Sequence, residues 1–285
     1  MADGPTLQAA ADLGRHPLLQ AWQEHAGLLP SASMDDLERA RLRAQAADGI
    51  TRPAFRVQDA GLLADGLHYE SRIAQRNVVA TREHDAHDLF NAMVWLRHPL
   101  LKRALNARQV ADIGVVGPKQ RTRGQYALTH FDEAGAIAWL ADDDLLQAWD
   151  AHDWTALFRD GAQAWGRGIA ITVHGHALLE HVWNGHLQPT AKALVVRVPA
   201  PTLAGRCVAG ALVAHWPSVE VVVAAAIGAA HVLVDPQELR PLPLAGIPGW
   251  HPLQADPAFH RRMPCFRPLR AGRRYPPPLR GPGGA

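Results

Sequence analysis

The chain has 285 residues, of which 48% are hydrophobic and 20% are charged. This composition is typical of a globular protein and excludes a disordered, collagenous or coiled-coil chain. Its two cysteines, Cys207 and Cys265, are too few for a disulfide framework, so we expect a fold stabilised by packing in the reducing cytoplasm. The most apolar stretch, residues 221–234, is shorter than the roughly 20 residues that cross a bilayer, so we expect no membrane partner.

The net charge of +2 is distributed unevenly along the chain. Residues 267–285 contain five arginines and no acid; subtracting these five from the 29 basic residues leaves 24 against 27 acids. We therefore expect no nucleic-acid partner for the body of the protein, and only weak contact through the tail. Arginine, proline and glycine make up fourteen of these last nineteen residues, which predicts disorder.

Apolar periodicity, caps and prolines predict a chain rich in helices. Helices are predicted to begin at Pro17 and, behind the cap Ser33, at residue 34, and to cover residues 85–97, 99–110, 142–149, 154–165 and 175–183. Strands are predicted at 125–130 and 136–140, forming a hairpin, and at 168–173 and 193–198. Residues 54–81 are predicted to be extended structure and loop, residues 219–234 fit a buried helix or a strand, and the chain beyond Pro236 is predicted to be irregular.

The densest polar cluster begins at His84. At about 100° per residue, His84, His87 and Asp88 share one helical stripe with Asn91 and Trp95. Imidazole, carboxylate and carboxamide groups on successive turns are suited to binding a metal or transferring protons. The alternative is the solvated face of an amphipathic helix, which the large aromatic ring of Trp95 disfavours.

A second cluster follows an apolar predicted strand, at His174 and His176. Glu180 lies one helical turn after His176, so the two side chains share a face and fit two metal ligands or an acid–base pair. Ligands commonly bind where a strand of an α/β fold ends. The zinc-protease signature is absent, because Glu180 stands where that signature has its second histidine. The alternative is an ordinary polar helix N-terminus.

A third set of candidates is cationic. We expect Arg72 or Lys192 to neutralise an anionic substrate, whereas Arg121 and Arg123 are expected to be solvated surface charges. The chain contains neither a dinucleotide fingerprint nor a nucleophile elbow, so no nucleotide cofactor is expected.

Several motifs in combination resemble one bacterial family. They are Tyr69-Glu70-Ser71-Arg72-Ile73, His87-Asp88-Leu89-Phe90-Asn91-Ala92 with Trp95-Leu96, residues 102–106, Leu128-Thr129-His130-Phe131-Asp132-Glu133, Gly175-His176-Ala177-Leu178 with Glu180, and Pro241-Leu242-Pro243 with residues 246–250. Over residues 69–267 the chain resembles the family catalogued as domain of unknown function 3025. The resemblance implies no assigned activity, but it places His87, Asp88, Asn91, His176 and Glu180 within the family's characteristic motifs.

These observations predict a single helix-rich α+β domain over residues 1–266, with a helical segment over about residues 1–50, a small mixed sheet, and a disordered tail over 267–285. The leading hypothesis is a metal-assisted hydrolase that acts on a small anionic substrate. The expected catalytic groups are His87, Asp88, Asn91, Arg72 and Lys192. The expected ligands of one divalent metal, such as zinc, are His87, Asp88, His176 and Glu180.

The alternative is a non-catalytic binding or scaffold protein. Its buried histidine, aspartate, asparagine and glutamate side chains would form a structural hydrogen-bond network. Its basic tail would bind an acidic protein partner. No residue pattern chooses between phosphoester, amide and glycosidic chemistry.

Overall fold

The computed structural model describes residues 16–213 and 216–282. Within that part of the chain, no helix combines the length and the apolar character needed to cross a membrane. The predicted N-terminal segment as far as residue 15 and the last three residues of the predicted tail lie outside the described residues.

The chain alternates irregularly between helices and short strands. The α-helices are α1 Pro17–Gln20, α2 Met34–Asp48, α3 Ala60–Leu63, α4 Tyr69–Arg76, α5 Ala86–Arg97, α6 Pro99–Val116, α7 Arg123–Ala134, α8 Asp143–Asp150, α9 His176–Trp183, α10 Pro217–Gly228 and α11 Phe259–Arg262. The strands are β1 Ala54–Val57, β2 Val78–Thr81, β3 Gly135–Leu140, β4 Ile169–Val173, β5 Thr190–Arg197, β6 Cys207–Val208, β7 Leu212–Val213, β8 Arg240–Pro243 and β9 Leu279–Arg280. The predicted α+β class is confirmed.

The described chain forms two compact units, each assembled from separate stretches of sequence. The sheet unit takes the described residues of the stretches 1–23, 133–219 and 237–285. The helical unit takes residues 24–132 and 220–236. The last two residues of α7, Glu133 and Ala134, therefore belong to the sheet unit.

In the sheet unit, the described strands form one mixed sheet in the order β6-β7-β4-β3-β5-β8, with β9 also paired to β5. The central strand β3 is antiparallel to β4 and parallel to β5, and all of its residues are buried. The strand β8 contains Pro241 and Pro243, which an edge strand tolerates because it has backbone positions outside the hydrogen-bond ladder. The indole N–H of Trp149, in α8, donates to the carbonyl of Pro241 at 2.7 Å.

In the helical unit, helix ends are fixed by side chains. Ser33 and Asp36 form the capping box that begins α2, as the sequence predicts. Glu220, which is 5% exposed, accepts the backbone N–H of Leu101 at 3.0 Å and so caps the first turn of α6. The second half of α5 is buried on every side, Trp95 included. β1 and β2 pair in parallel beside these helices.

Most predicted helices and strands are confirmed, although α6 continues to Val116, but the predicted hairpin is wrong in its first half. Residues 125–130 belong to α7 rather than to a strand. Gly124, Ala127, Leu128 and Phe131 are the buried residues that reveal the helical period of i, i+3, i+4 and i+7. The sequence Asp-Glu-Ala-Gly at 132–135 resembles a turn, but it ends a helix and enters β3 directly.

Two other segments also differ from prediction, and one alternative that the sequence leaves open is decided. Residues 69–76, predicted to be extended, form α4, whose buried face carries Arg72 as well as Ile73 and so lacks an apolar period. Residues 154–165 do not form one helix, because a π-helical turn ends at Gly161. Residues 217–228 form α10, which decides between helix and strand for the long apolar stretch.

The tail, for which composition predicts disorder, is ordered along the sheet unit as far as residue 282. His152 Nε2 lies 2.8 Å from the hydroxyl of Tyr275, and the guanidinium of Arg240 donates to the carbonyl of Pro276 at 2.8 Å. The pairing of β9 with β5 extends the contact. Composition does not predict this order, because prolines and arginines are usually solvated. Here their backbone carbonyls accept hydrogen bonds, and the aromatic ring of Tyr275 adds a further contact.

Replacing Gly175 by alanine is expected to destabilise the protein by about 1–3 kcal/mol, the usual cost of overpacking. The added Cβ would overlap the amide nitrogen of Gly135 and lie 2.6 Å from Cα of Ala134, and backbone atoms cannot move aside as a flexible side chain can. The matched control is Gly114→Ala in α6, where no atom lies within 4 Å; alanine should there gain about 0.5–1 kcal/mol of helix stability. Urea unfolding compares the two, and a Gly175→Ala variant as stable as wild type would refute the crowding.

Candidate active site

The chain segments that carry the candidate site meet at one edge of the sheet, the edge formed by strand ends and not by an outer strand. β3 begins at this edge, and so does its parallel neighbour β5, with Gly135 in register with Lys192. The antiparallel strand β4 ends at the same edge, where Val173 pairs with Ala136. Residues just before β3 and just after β4 are therefore brought together by the topology of the sheet.

A close backbone contact fixes this junction. The amides of His174 and Gly175 both donate to the carbonyl of Gly135, at 3.1 and 2.9 Å. Gly175 is required because the chain leaving β4 touches the chain entering β3 without room for a side chain. α9 begins at the next residue, so its first turn is held against the end of α7.

The contact sets His176 beside Glu133. Nε2 of the imidazole lies 3.2 Å from Oε2 of the carboxylate. The side chain of His176 is 4% exposed and that of Glu133 is 40% exposed. The buried imidazole thus supports a carboxylate that remains accessible from outside.

Glu133 lines an open cleft with a volume of about 710 Å³. The other lining residues come from the end of α7, from α9 and from the segment leading into β5: Ala134, Ala177, Leu178, His181, Gly185, His186, Leu187, Gln188, Pro189 and Thr190. The rings of His181 and His186 meet edge to face, with centroids 5.7 Å apart. The volume falls in the range of about 300–1,000 Å³ usual for small-molecule sites.

A carboxylate–imidazole pair of this kind has two common chemical uses. The carboxylate can accept a proton from water while the imidazole fixes its orientation. Alternatively, both groups can bind one divalent cation, since carboxylate oxygens and imidazole nitrogens are ligands of zinc. Both uses require an accessible carboxylate, which the cleft provides for Glu133.

Of the residues predicted from sequence, His176, Glu180 and Lys192 lie in the sheet unit. His176 is brought to Glu133, and Glu180 is partly buried one turn further along α9. Lys192 lies on β5, partly buried. His174 is fully buried, so it contributes to packing rather than to a surface that substrate could reach.

The remaining predicted residues lie in the helical unit, and most of them have local partners. His87 is partly buried in the first turn of α5. Asp88 accepts the backbone N–H of Arg82 at 2.6 Å and its guanidinium at 2.9 and 3.0 Å. Arg72, 2% exposed, donates to Asp65 at 2.6 Å, an ion pair that disfavours its predicted role in neutralising substrate.

Asn91 belongs to a buried polar network, which the sequence analysis did not identify. Its amide donates to the hydroxyl of Tyr69 at 2.9 Å, and its carbonyl accepts from Lys102 Nζ at 2.9 Å. Lys102 is 4% exposed and also binds Asp132 Oδ1 at 2.6 Å. Its ammonium lies 5.4 Å from the centre of the Trp95 ring, which explains why this tryptophan sits on the polar stripe.

Glu70 extends the same region of the helical unit. Its carboxylate accepts from Asn106 Nδ2 at 2.6 Å. Burial raises the pKa of Glu70 above its ordinary value of 4.5, and the negative charge of Asp132 acts in the same direction; the hydrogen bond from Asn106 and the charge of Lys102 oppose the rise. Burial also raises the pKa of Tyr69, with a contribution from the charge of Glu70.

Replacing Glu70 by glutamine is expected to stabilise the protein at neutral pH. A carboxyl whose pKa is raised in the folded state stabilises the fold below its unfolded pKa, and this contribution is lost as pH rises through the folded value. Glutamine keeps the acceptor for Asn106 without the charge. Urea unfolding from pH 4 to pH 8 should show the difference between variant and wild type growing as pH rises above 4.5.

The control for this series is Glu83→Gln, which removes an exposed carboxylate from the same unit. As an exposed surface substitution, it should change the free energy of unfolding by less than about 0.5 kcal/mol. A Glu70→Gln variant less stable than wild type at pH 7 would contradict the assignment.

A family model described as "Protein of unknown function (DUF3025)" matches residues 54–270. The chain therefore belongs to this family, which confirms the resemblance of its motifs. No curated protein and no solved structure gives a significant match.

Proposed function

We propose that this member of the family is a hydrolase whose reaction centre is the pair Glu133 and His176. The observation that carries the proposal is the 3.2 Å contact between a buried imidazole and a carboxylate that is 40% exposed at an open cleft. Buried imidazole–carboxylate pairs are common in structural networks, but a structural pair does not require an accessible carboxylate. The cleft supplies the space that a substrate needs.

In the proposed reaction, Glu133 acts as the general base. A water molecule bound to its carboxylate attacks the electrophilic carbon or phosphorus of the substrate, and the proton of that water passes to Glu133. The bond to the leaving group then breaks, and protonated Glu133 delivers its proton to the departing oxygen or nitrogen, which regenerates the carboxylate. His176 is a positioning residue, which holds the carboxylate in one orientation through Nε2. A base of this kind typically contributes 10²–10⁴-fold to the rate.

A metal-assisted form of the reaction fits the same pair as an alternative: a divalent cation such as zinc would be held by Nε2 and Oε2 in place of their direct contact, and it would activate the water instead of the carboxylate. Two ligand atoms bound tetrahedrally at about 2.0–2.1 Å lie about 3.3 Å apart, close to the distance between Nε2 and Oε2. Glu133 and His176 would supply two of the three protein ligands usual for catalytic zinc. The expectation that His87, Asp88 or Glu180 supplies a further ligand stays a prediction.

The position of Lys192 favours an anionic substrate. It is in register with Gly135, two residues after Glu133, and it shares a face of β5 with the cleft residue Thr190, because side chains two apart on a strand point the same way. The cleft volume suits a small molecule rather than a polymer.

A second candidate function, a non-catalytic binding or scaffold protein, is favoured by the network around Lys102. There Asn91, Asp132 and Tyr69 satisfy one another inside the helical unit, as a structural network does. The two candidates differ in the effect of replacing Glu133. A scaffold would keep its binding function, whereas a hydrolase would lose most of its rate of hydrolysis.

The Glu133→Gln and His176→Ala variants test the proposal first through metal binding. Titration of metal-free protein with zinc is expected to give about one ion per wild-type chain and to raise the melting temperature, with both effects lost in the two variants. His231→Ala, which removes an exposed imidazole outside the cleft, is the control and should bind as wild type. A His87→Ala variant in the same titration tests whether His87 is a ligand.

The second readout is hydrolysis, screened with chromogenic phosphoesters, carboxylate esters and amides. With the best substrate, Glu133→Gln should lower kcat by about 10²–10⁴-fold while the fold is retained. Equal zinc binding in all variants, together with hydrolysis that does not depend on Glu133, would refute the hydrolase and leave the scaffold.

A further inference from the structure

Backbone contacts order a segment of the tail that carries three arginines, Arg267, Arg270 and Arg273. The carbonyl of Arg267 accepts from the indole of Trp154 at 2.8 Å and lies 3.1 Å from His152 Nδ1. These contacts anchor the start of the segment on the chain that follows α8.

A turn then brings Arg270 and Arg273 together. The amide of Arg273 donates to the carbonyl of Arg270 at 3.0 Å. Gly272, between them, has a φ of +74°, the left-handed conformation that the third residue of a type II turn requires. The guanidinium of Arg273 lies 4.8 Å from the centre of the Tyr275 ring and also donates to the carbonyl of Leu239 at 3.4 Å. The spacing of the two arginines is therefore set by the backbone.

Lys192 is the partly buried cation of this group. Its strand lies between β3 and β8, with Lys192 in register with Gly135 on one side and Pro241 on the other. Burial lowers the pKa of Lys192, and the positive charges of Arg273, Arg267 and Arg270 lower it further, in that order. Geometry places Arg273 beside this pairing, because Leu239, whose carbonyl its guanidinium reaches, lies two residues before Pro241.

The described part of the chain offers this group no counter-charge. No described carboxylate forms an ion pair with Lys192, Arg267 or Arg270. Asp150, which the tail also approaches, is bound by Arg240 at 2.6 and 3.1 Å. The fold thus concentrates positive charge at a partly buried point without neutralising it, and a bound anion would remove the repulsion.

We propose that Lys192, Arg267, Arg270 and Arg273 form a binding site for the phosphate group of a small molecule. Arginine forks match phosphate oxygens in a bidentate arrangement, and a lysine adds a point charge. The site is argued from these four cations alone and does not depend on the hydrolytic role of Glu133.

Calorimetric titration with inorganic phosphate, at constant ionic strength set with chloride, tests the site. Wild type should bind about one phosphate per chain, and Lys192→Met and Arg270→Gln should each weaken binding at least about tenfold. Arg280→Gln is the matched control, since Arg280 belongs to the same tail but pairs with Arg197, about 16 Å along β5 from Lys192. Its affinity should equal that of wild type.

Arg270 is exposed in a turn, so the Arg270→Gln variant keeps the test valid even if Lys192→Met fails to fold. The absence of saturable binding, or an equal loss in the Arg280→Gln control, would overturn the proposal. A phosphomonoester should bind at least as tightly as inorganic phosphate. A short oligonucleotide that binds far more tightly than either would overturn the assignment to a small molecule.

Lysine acylation gives a second readout, because the sequence contains only three lysines. Phosphate should slow the acylation of Lys192, measured by mass spectrometry, and leave the exposed Lys119 unchanged. Equal rates at Lys192 with and without phosphate would contradict a phosphate bound beside it.

Discussion

The sheet unit depends on one backbone contact, where the chain leaving β4 meets the chain entering β3. Two amides, from His174 and Gly175, share the carbonyl of Gly135, and no side chain fits between the strands. This contact joins the end of α7, the start of α9 and the central strand at one point. Glu133 and His176 flank the contact in sequence, so the same constraint that shapes the fold also positions the candidate reaction centre.

The charged groups of the two units differ in how far neighbouring side chains neutralise them. In the helical unit, Lys102 is enclosed by Asn91, Asp132 and the ring of Trp95, so its charge is neutralised locally. In the sheet unit, Glu133 stays accessible beside its imidazole, and the charges that act on the pKa of Lys192 are those of arginines rather than acids. Satisfied networks stabilise and specify a fold, whereas charges left accessible or without a counter-charge are those available to bind a ligand.

Local signals account for what the sequence predicts well. The cap Ser33 and the first-turn proline Pro17 locate helices, and the apolar run before His174 locates β4 and the start of α9. Glu133 was missed because its neighbourhood was assigned to a hairpin turn, and its partner is 43 residues away along the chain. Lys102 was missed although a lysine is unusual here: only three of the 29 basic residues are lysines. Glu133 and Lys102 both acquire their roles through contacts with residues distant in sequence, which no local pattern encodes.

The most direct measurement of the central claim is anomalous diffraction at the zinc edge from crystals soaked in zinc. The account predicts a single strong peak within about 2.0–2.2 Å of both Oε2 of Glu133 and Nε2 of His176, facing the cleft. The same crystals of Glu133→Gln should lack that peak. Zinc bound elsewhere, with these two side chains still paired to each other at full occupancy, would contradict zinc binding by the pair and leave Glu133 only the role of a base that acts without a metal.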